Sequence, residues 1–433
     1  MIDSKFEIEN FVKNILDKKN KKESFIPGET IIPPSGKLIG YDEVNNMVQA
    51  SFDGWLTTGR FNSEFQEKLS NFLQIKHLIT VNSGSSANLI AFSSLTSHLH
   101  KENAVKPGDE VISVAAGFPT TVNPIFQNGA IPVFVDIKLP TYNIDENLIE
   151  EAISKKTKAI MLAHTLGNPF NIKKVIEICK KYNLWLIEDN CDALGSKYDN
   201  QYTGTFGDVA TLSFYPAHHI TMGEGGAVFT NNFRIKRILE SFRDWGRDCY
   251  CEPGEENTCK KRFEWQQGKL PYGYDHKYIY SHIGFNMKIT DMQAACGLGQ
   301  LKNLDSFIEK RKANVLFLKK ELNDLKDEIL LPEAEVNSDP SWFGFPITIK
   351  KNSKFKRTDI IKKLTDNKIG TRLLFAGNLT KQPAYLTKNF KVHRNLDTTD
   401  LIMTNTFWVG IQPAIGEEEL SFIAKVLKDF FKK

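Results

Sequence analysis

Four of the six cysteines in this chain have a spacing that can hold a metal ion or an iron–sulfur cluster. Cys191, Cys249, Cys251 and Cys259 form the pattern C-x57-C-x-C-x7-C, and the other two cysteines lie in apolar segments typical of a protein core. Four thiolates are the usual ligands of an iron–sulfur cluster, and the same ligands also hold structural zinc. The spacing matches neither ferredoxin pattern, so the cysteines predict a metal centre and leave its identity open.

A second group of chemically useful residues lies at the ends of two apolar strands. Asp189 closes one strand two residues before Cys191, where a carboxylate can pair with the protonated ring nitrogen of a pyridine cofactor or can simply cap a helix. Gly84 and Ser85 follow another strand and precede a helix, whose unpaired N–H groups attract a phosphate, although the same residues suit an ordinary capping turn. A metal ligand beside a cofactor acid predicts redox chemistry on a bound cofactor.

The strands that position these residues alternate with longer amphipathic segments. Such alternation predicts an α/β fold with a mostly parallel sheet covered by helices, because parallel strands need helical crossovers. The predicted strands are apolar runs of five residues, at 77–81, 110–114, 132–136, 159–163, 184–188, 210–214 and 226–230.

The sequence predicts three parts along the chain. Residues 1–40 are an N-terminal arm, residues 41–305 a large cofactor-binding domain, and residues 306–433 a smaller α+β C-terminal domain. Residues 244–282 interrupt the alternation of strands and helices in the large domain. They contain glycines, prolines, aromatics and three of the clustered cysteines, which predicts an irregular insertion.

Composition argues against several classes of protein. The chain has 433 residues, 41% of them hydrophobic and 25% charged, and a net charge of +4 from 56 basic and 52 acidic residues. The basic residues are spread along the chain, so no nucleic-acid binding is predicted. The N-terminus lacks the apolar core of a signal peptide and no apolar run approaches the roughly 18 residues that cross a bilayer, which predicts a cytoplasmic protein without a membrane partner. In the cytoplasm thiols stay reduced, which favours metal ligation over disulfides.

Five motifs, taken in chain order, resemble those of the vitamin B6-dependent sugar aminotransferase and dehydratase family over roughly residues 40–430. The motifs are Gly84-Ser85-Ser86, Phe118-Pro-Thr-Thr121, Glu188-Asp189-x-x-Asp192, Ser213-Phe-Tyr-Pro-Ala-His218 and Gly284-Phe-Asn286-Met-Lys-Ile-Thr-Asp-Met-Gln293. The resemblance implies a homodimer whose subunits have the fold-type I architecture of pyridoxal-phosphate-dependent transferases.

The same resemblance implies roles for individual residues. The implied contacts are to the cofactor phosphate from Gly84, Ser85 and Ser213, to the ring face from Phe118, to the ring nitrogen from Asp189, and to the phosphate of the neighbouring subunit from Asn286. Asp192 stands where the aminotransferases usually place a glutamine near the ring hydroxyl, so the cofactor contact at that position differs from the family pattern.

A histidine stands at position 218, where the resembling aminotransferases carry their Schiff-base lysine. Histidine cannot bind the cofactor covalently, but it takes up and returns protons near neutral pH. The change predicts non-covalent pyridoxamine 5′-phosphate with His218 as the general base. The adjacent His219 is the alternative base, and alignment with the motif favours His218. His219 and Arg372 are predicted substrate contacts, Arg372 because a guanidinium suits phosphate geometry, with a surface salt bridge as its alternative role.

The histidine and the four cysteines together resemble one branch of the family, the CDP-4-keto-6-deoxyglucose 3-dehydrases, which carry a [2Fe–2S] cluster. The resemblance implies C-3 deoxygenation of CDP-4-keto-6-deoxyglucose in the synthesis of 3,6-dideoxyhexoses for lipopolysaccharide O-antigen. A separate NADH-dependent flavin and iron–sulfur reductase would supply electrons, because the chain has no G-x-G-x-x-G fingerprint. The alternatives are a cluster-free GDP-4-keto-6-deoxymannose 3-dehydratase and a non-catalytic sugar-nucleotide-binding relative.

Overall fold

The structure of the protein is a computed structural model that describes residues 2–19 and 24–432. The predicted N-terminal arm therefore falls in part on residues that lie outside the described ones, namely 1 and 20–23. Further along the arm, Ile32 is buried and forms a short parallel bridge with Ile369, so this part of the arm lies against the C-terminal region. None of the helices in the described ranges is long and apolar enough to cross a membrane.

The strands form at apolar runs bounded by polar or turn-forming residues. In chain order they are β1 (His77–Val81), β2 (Glu110–Val114), β3 (Ile131–Val135), β4 (Thr157–Ala163), β5 (Trp185–Asp189), β6 (Lys197–Tyr198), β7 (Gln201–Tyr202), β8 (Val209–Ser213), β9 (Gly226–Thr230), β10 (Ile329–Leu330), β11 (Ser338–Asp339), β12 (Phe345–Ile349), β13 (Thr371–Leu373), β14 (Lys391–Val392) and β15 (Thr406–Val409).

The helices occupy the amphipathic segments between the strands, and several begin at a residue that caps them. Ser83 accepts a hydrogen bond from the Ser86 backbone N–H at 3.0 Å, and Thr290 forms a capping box with Gln293. In chain order the helices are α1 (Ile2–Lys19), α2 (Tyr41–Asp53), α3 (Arg60–Leu73), α4 (Gly84–Leu95), α5 (Pro119–Gln127), α6 (Ile149–Ala152), α7 (Ile172–Tyr182), α8 (Phe233–Arg243), α9 (Asp291–Leu301), α10 (Leu304–Glu321), α11 (Arg357–Asp366), α12 (Asp397–Asn405) and α13 (Glu417–Phe431).

The large sheet has eight strands in the order β1-β9-β8-β5-β4-β2-β3-β14. Strand β9 runs antiparallel to both of its neighbours, and the remaining pairs are parallel. The predicted mostly parallel sheet covered by helices is confirmed, with the strand ends within two residues of the predicted ones.

Both faces of the large sheet are buried, which explains the continuous apolar runs in its strands. In β4, Ala159 and Met161 belong to one hydrophobic cluster, whereas Ile160 and Leu162 belong to another. Because successive side chains of a strand point to opposite faces, the two clusters lie on the two sides of the sheet. Helices must therefore cover both sides, as in other α/β proteins.

The carboxyl ends of several central strands lie at one edge of the sheet. The register pairs Ala163 at the end of β4 with Asp189 at the end of β5, and Asp189 with Thr211 of β8. Strand β1 also ends at this edge, because β1 and β8 are both antiparallel to the β9 strand between them. In open α/β sheets ligands bind in the crevice outside these ends, which is where the predicted cofactor residues lie.

The C-terminal region builds a second, smaller sheet in the order β10-β12-β15-β13, and helices α10, α11 and α13 pack around it. Its core includes Phe345, Ile347, Phe407 and Leu427. The same region also adds β14 to the edge of the large sheet. A short three-stranded sheet, β11-β6-β7, joins the two parts of the chain. The domain limits at 40 and 305 stay predictions.

Residues 244–282 have little regular structure. They contain the 3₁₀ turn His276–Tyr278, and Arg247 bridges to Tyr280 across the two ends of the segment. Hydrogen bonds from Arg262 to Asp275 hold the middle of the segment together.

Candidate functional site

A cavity of about 1000 Å³ opens at the carboxyl ends of the central strands. Its volume is at the upper end of the range for small-molecule sites. The predicted site residues that line it are Gly84, Ser85, Phe118, Asp189, Cys191, Asp192, Ser213, His218 and Arg372. Residues separated by almost 300 positions along the chain thus share one cavity, because the sheet aligns their strand ends.

Asp189, at the end of β5, is held by hydrogen bonds from buried side chains. Asn88 Nδ2 and Thr121 Oγ1 donate to Asp189 Oδ2 at 2.7 and 2.6 Å. The other oxygen, Oδ1, receives longer contacts from the Cys191 backbone N–H at 3.2 Å and from Thr211 Oγ1 at 3.4 Å. The carboxylate therefore has a fixed orientation at the cavity wall, as contact with a ring nitrogen requires.

The start of helix α4 forms a cradle at the cavity. Gly84 is buried here, and a Cβ atom at this position would lie 2.5 Å from the Ser213 Cβ, so the close approach of β8 allows only glycine. Ser85 is exposed at the same turn, where the first N–H groups of a helix lack partners within it. A phosphate fits this combination of free N–H groups and the Ser213 hydroxyl.

Phe118, directly before α5, supplies an aromatic face. Its side chain is 52% exposed and lines the cavity, and it packs edge-on against Phe375 with ring centroids 6.3 Å apart. A large exposed ring inside a cavity offers a surface for a planar ligand. The cradle, the fixed carboxylate and this ring together fit the parts of pyridoxamine 5′-phosphate.

His218 lies at the wall of the cavity opposite a carboxyl group. Its side chain is 15% exposed, and its Nδ1 lies 3.4 Å from Asp192 Oδ1. Burial lowers the pKa of His218 to about 4; the charge of Asp189 acts against this lowering, and the smaller effect of Arg311 acts with it. Burial and the nearby Asp189 raise the pKa of Asp192 to about 8. Near neutral pH the pair is therefore a neutral imidazole beside a carboxylic acid.

His219 points away from this cavity. Its side chain is 3% exposed, and its Nε2 lies 2.8 Å from the Ser341 carbonyl oxygen. Burial, with a contribution from Arg311, lowers the pKa of His219 well below its ordinary value. The predicted substrate contact from His219 is therefore not made in this arrangement, because the ring is packed behind the cavity wall.

The four cysteines of the predicted metal centre are divided between two places. Cys249, Cys251 and Cys259 line a small cleft of the insertion together with His276, whereas Cys191 lines the large cavity. In the described part of the chain, no three His, Cys, Asp or Glu side chains are arranged to hold a metal ion. The predicted single set of four thiolate ligands is therefore not assembled here, and these residues do not fit a cluster as they stand.

Cys191 packs instead beside the phosphate cradle. A Cβ atom at Gly84 would lie 3.2 Å from its sulfur, and Thr211 Oγ1 lies 3.9 Å from it. Burial, and then the carboxylate of Asp189, raises the pKa of the Cys191 thiol well above its ordinary value.

Two further predicted contacts lie near the surface. Asn286 is exposed and does not line the cavity; its backbone forms an isolated bridge with Asp244. Arg372 is also exposed and lines the cavity, where its Nη1 donates to the neighbouring Thr371 carbonyl at 3.1 Å. Within the described residues Arg372 forms no salt bridge, which was its alternative role.

Sequence reasoning missed the residues that support the predicted ones. Thr121 stands inside a quoted motif and Asn88 follows the Ser-Gly-Ser turn, so their positions near strand ends were a usable signal. Thr211 completes the group by donating to Asn88 Oδ1 at 2.7 Å. Arg311, in the middle of α10, gave no signal, since an arginine in an amphipathic helix usually faces solvent.

Comparison with known proteins gives relatives over almost the whole length. The chain is 58% identical over 425 residues to the lipopolysaccharide biosynthesis protein RfbH of Salmonella typhimurium, covering 98% of this chain and 97% of that protein. It is 47% identical to the dTDP-4-dehydro-2,6-dideoxy-D-glucose 3-dehydratase of Saccharopolyspora spinosa, covering 98% and 92% of the two chains.

The fold also matches solved structures. A GDP-4-keto-6-deoxy-D-mannose 3-dehydratase of E. coli with bound hydrated PLP superposes with a TM-score of 0.82 at 28% identity, covering 92% of this chain and 100% of that one. The predicted fold-type I architecture is confirmed by this likeness. Residues 38–428 match the DegT/DnrJ/EryC1/StrS aminotransferase family. From its motifs, its fold and this match, the chain belongs to the DegT/DnrJ/EryC1/StrS aminotransferase family.

Proposed function

We propose that this protein is a sugar-nucleotide 3-dehydratase that works with pyridoxamine 5′-phosphate. The observation that carries the proposal is the residue at position 218. His218 lines the cavity in the motif that carries the Schiff-base lysine in aminotransferases, and within the described residues no lysine lines this cavity. A site without that lysine cannot carry out ordinary transamination, but it can move protons.

The roles of the residues follow from their positions. Gly84, Ser85 and Ser213 would hold the cofactor phosphate, Phe118 would lie against the ring, and Asp189 would pair with the ring nitrogen; all five residues line the cavity. When bound, pyridoxamine phosphate supplies an amine for the 4-keto group of the sugar and an electron-withdrawing ring.

Proton transfer is assigned to His218. Its lowered pKa of about 4 keeps the imidazole neutral at physiological pH, so it is ready to accept a proton. Asp192, 3.4 Å from His218 Nδ1, replaces the glutamine of the aminotransferase pattern, and its raised pKa of about 8 lets it hold a proton beside the imidazole. The dehydration needs both a proton acceptor and a proton donor, because the 3-hydroxyl leaves as water.

The proposed substrate is CDP-4-keto-6-deoxyglucose, on the route to dideoxyhexoses of lipopolysaccharide. The relative at 58% identity carries a lipopolysaccharide name and the one at 47% is a sugar-nucleotide 3-dehydratase, which supports the reaction class. The net reaction replaces the C-3 hydroxyl by hydrogen, consumes two electrons and two protons, and releases water. A separate NADH-dependent reductase as the electron source, the [2Fe–2S] cluster and the cytoplasmic location stay predictions.

A second candidate is a cluster-free GDP-4-keto-6-deoxymannose 3-dehydratase. Two relatives of 31% and 30% identity carry that name, and the separation of Cys191 from the other three thiols favours it. The two candidates differ in substrate and in metal content. Product formation from the CDP and the GDP sugar, each with and without a reductase and NADH, separates them.

The replacement of His218 by lysine tests the proposed site. We expect His218→Lys protein mixed with pyridoxal phosphate to retain the cofactor covalently after borohydride reduction, and mass spectrometry of peptides should find it at position 218. Wild-type protein and the His219→Lys control should retain none, because position 219 faces Ser341. Cofactor fixed at 219 and absent from 218 would show that the assignment is wrong.

A further inference from the structure

Arg311 is a fully buried cation behind the proposed active site. It lies on α10, is 1% exposed, and is among the largest of the fully buried side chains in the described residues. No ion pair joins its guanidinium to a carboxylate within the described residues, and Asp192 is the carboxyl group that acts on its charge. Burying a charge without a paired partner is costly, so such a residue invites a functional explanation.

The guanidinium joins two separate segments of the chain. Its Nη1 donates to the carbonyl oxygens of Trp342 and Phe343 at 3.3 and 3.0 Å, and its Nη2 lies 3.5 Å from the carbonyl oxygen of His218. The ring of Phe343 in turn lies against the ring of His218, with centroids 5.1 Å apart and an angle of 36°. Arg311 thus contacts the backbone of both members of this ring pair.

The adjacent residues reinforce this connection. His219 contacts the carbonyl oxygen of Ser341, and the Ser341 N–H donates to Ser196 Oγ at 2.8 Å. Ser341 contacts His219 and Phe343 contacts His218, so the segment 341–343 touches both histidines and is itself anchored to Ser196. Its position decides where the His218 ring can lie.

We propose that Arg311 is a positioning residue for His218, which holds the histidine backbone against Phe343 and whose buried charge disfavours a second positive charge on the imidazole. The proposal rests on the proposed function, in which His218 moves a proton. Arg311 itself contacts neither cavity nor substrate, since it does not line the cavity.

The charged groups around His218 agree with this role. Asp192 and Asp189 lie on the cavity side, and Arg311 and His219 lie behind the imidazole. Burial lowers the pKa of His218 most, Asp189 acts against that, and Arg311 acts with it. Loss of the Arg311 charge should therefore raise the pKa of His218 toward its ordinary value of 6.5.

The test is an NMR titration of the ligand-free protein with labelled histidine, in which the His218 signal is assigned by its loss in His218→Asn. We expect Arg311→Gln, which is neutral but keeps N–H donors, to raise the pKa of His218 by about one unit or more. Arg311→Lys keeps the charge and should leave this pKa nearly unchanged. Arg357→Gln is the matched control. Arg357 is a partly buried arginine that, like Arg311, donates to backbone carbonyls, those of Met403 and Thr406, but it lies outside the cavity.

Equal shifts in Arg311→Gln and Arg311→Lys, or a shift in the Arg357 control as large as that in Arg311→Gln, would overturn the electrostatic role. Should Arg311→Gln not fold, Arg311→Met, which is also neutral, takes its place in the same comparison, and a wild-type His218 pKa at or above 6.5 contradicts the proposal by itself. For the positioning role, Arg311→Lys should lower kcat about tenfold with little change in KM; an unchanged kcat would overturn that role. The titration uses no substrate, so its result on the pKa of His218 remains valid even if the protein fails to dehydrate sugars.

Discussion

The carboxylate of Asp189 is held by a buried network of side chains from three different elements. Asn88 lies on α4, Thr121 on α5 and Thr211 on β8, and the three form one buried network with the carboxylate. Because each donor has its own rigid support, the carboxylate cannot rotate without breaking several bonds. A ring nitrogen at the cavity wall would then meet an acceptor whose position is fixed in advance.

Thr121 offers a clean test of this network. Thr121→Val removes the 2.6 Å hydrogen bond to Asp189 Oδ2 while keeping nearly the same shape. A hydrogen bond to a charged group contributes about 1.5–3 kcal/mol to stability, so the free energy of unfolding should fall by about that amount. The Kd for pyridoxamine phosphate, measured by calorimetry, should rise about tenfold because the carboxylate is no longer held in one orientation.

The control for this prediction is the neighbouring Thr120→Val. Thr120 lines the same cavity, but its hydroxyl makes no hydrogen bond to Asp189 within the described residues. We expect the affinity of the Thr120→Val protein for pyridoxamine phosphate to change less than about threefold. An equal loss in the two variants would mean that the effect comes from the cavity wall rather than from the carboxylate.

At the scale of elements, the start of α4 depends on a close approach to β8. Gly84→Ala would place a methyl group 2.5 Å from the Ser213 Cβ, so the helix start must move. Overpacking of this kind costs about 1–3 kcal/mol, which should lower the thermal midpoint measured by circular dichroism. The displaced cradle should also bind pyridoxamine phosphate no better than pyridoxamine, which lacks the phosphate.

Gly117→Ala is the matched substitution, because a Cβ at Gly117 meets its nearest neighbour, Val114, at 3.8 Å. This variant should keep both the thermal midpoint and the preference for the phosphorylated ligand. If Gly84→Ala keeps that preference too, the phosphate does not bind at the start of α4.

The predicted metal centre is tested in the insertion 244–282, which contains three of the four clustered cysteines. Burial acts to raise the pKa of the Cys251 thiol, but hydrogen bonds with Thr258 and Cys249 and the charge of Lys277 together lower it below its ordinary value, which favours the thiolate that metals bind. If the cluster forms, anaerobically purified protein should contain about two iron and two sulfide ions per chain and absorb visible light. Cys251→Ser should lose the iron and the colour.

Cys296→Ser is the control, since Cys296 is a buried core residue of α9 and should not affect the metal. Wild-type protein that contains zinc in place of iron would identify a structural site. Wild-type protein without metal after reconstitution with iron and sulfide would support the cluster-free alternative.

At the scale of the whole molecule, Asn286 lies exposed outside the cavity of its own chain. This position suits the predicted homodimer, in which each site takes Asn286 from the neighbouring subunit. A mixture of Asn286→Ala and His218→Asn proteins tests it. Random exchange of subunits should give about a quarter of the wild-type number of intact sites, because half of the dimers are mixed and each has one complete site.

Each variant alone should be inactive, and analytical ultracentrifugation should find a dimer before and after mixing. Activity should appear only when the subunits are allowed to exchange. Active Asn286→Ala protein on its own, or no recovery after proven exchange, would contradict a site shared between subunits.

The sequence by itself determined the elements and most of the cavity. Apolar runs of five residues are readily buried as strands between helices, which is why β1, β2 and β9 were predicted to the residue and the other predicted strands of the large sheet within two residues. Asp189 and Gly84 were found because functional residues of such sheets follow the strand ends, a local property of the chain. The histidine at 218 was found from its motif.

Only the tertiary structure decided which side chains meet. Asn88 and Asp189 are 101 positions apart, and Arg311 and His218 are 93 apart, so these contacts depend on how β5, α4 and α10 pack. The spacing of the cysteines was a regular pattern, but β5 carries Cys191 to the cavity while the insertion keeps the other three in a cleft of their own. Spacing along a chain reports local geometry, whereas distance in space is set by packing across the whole fold.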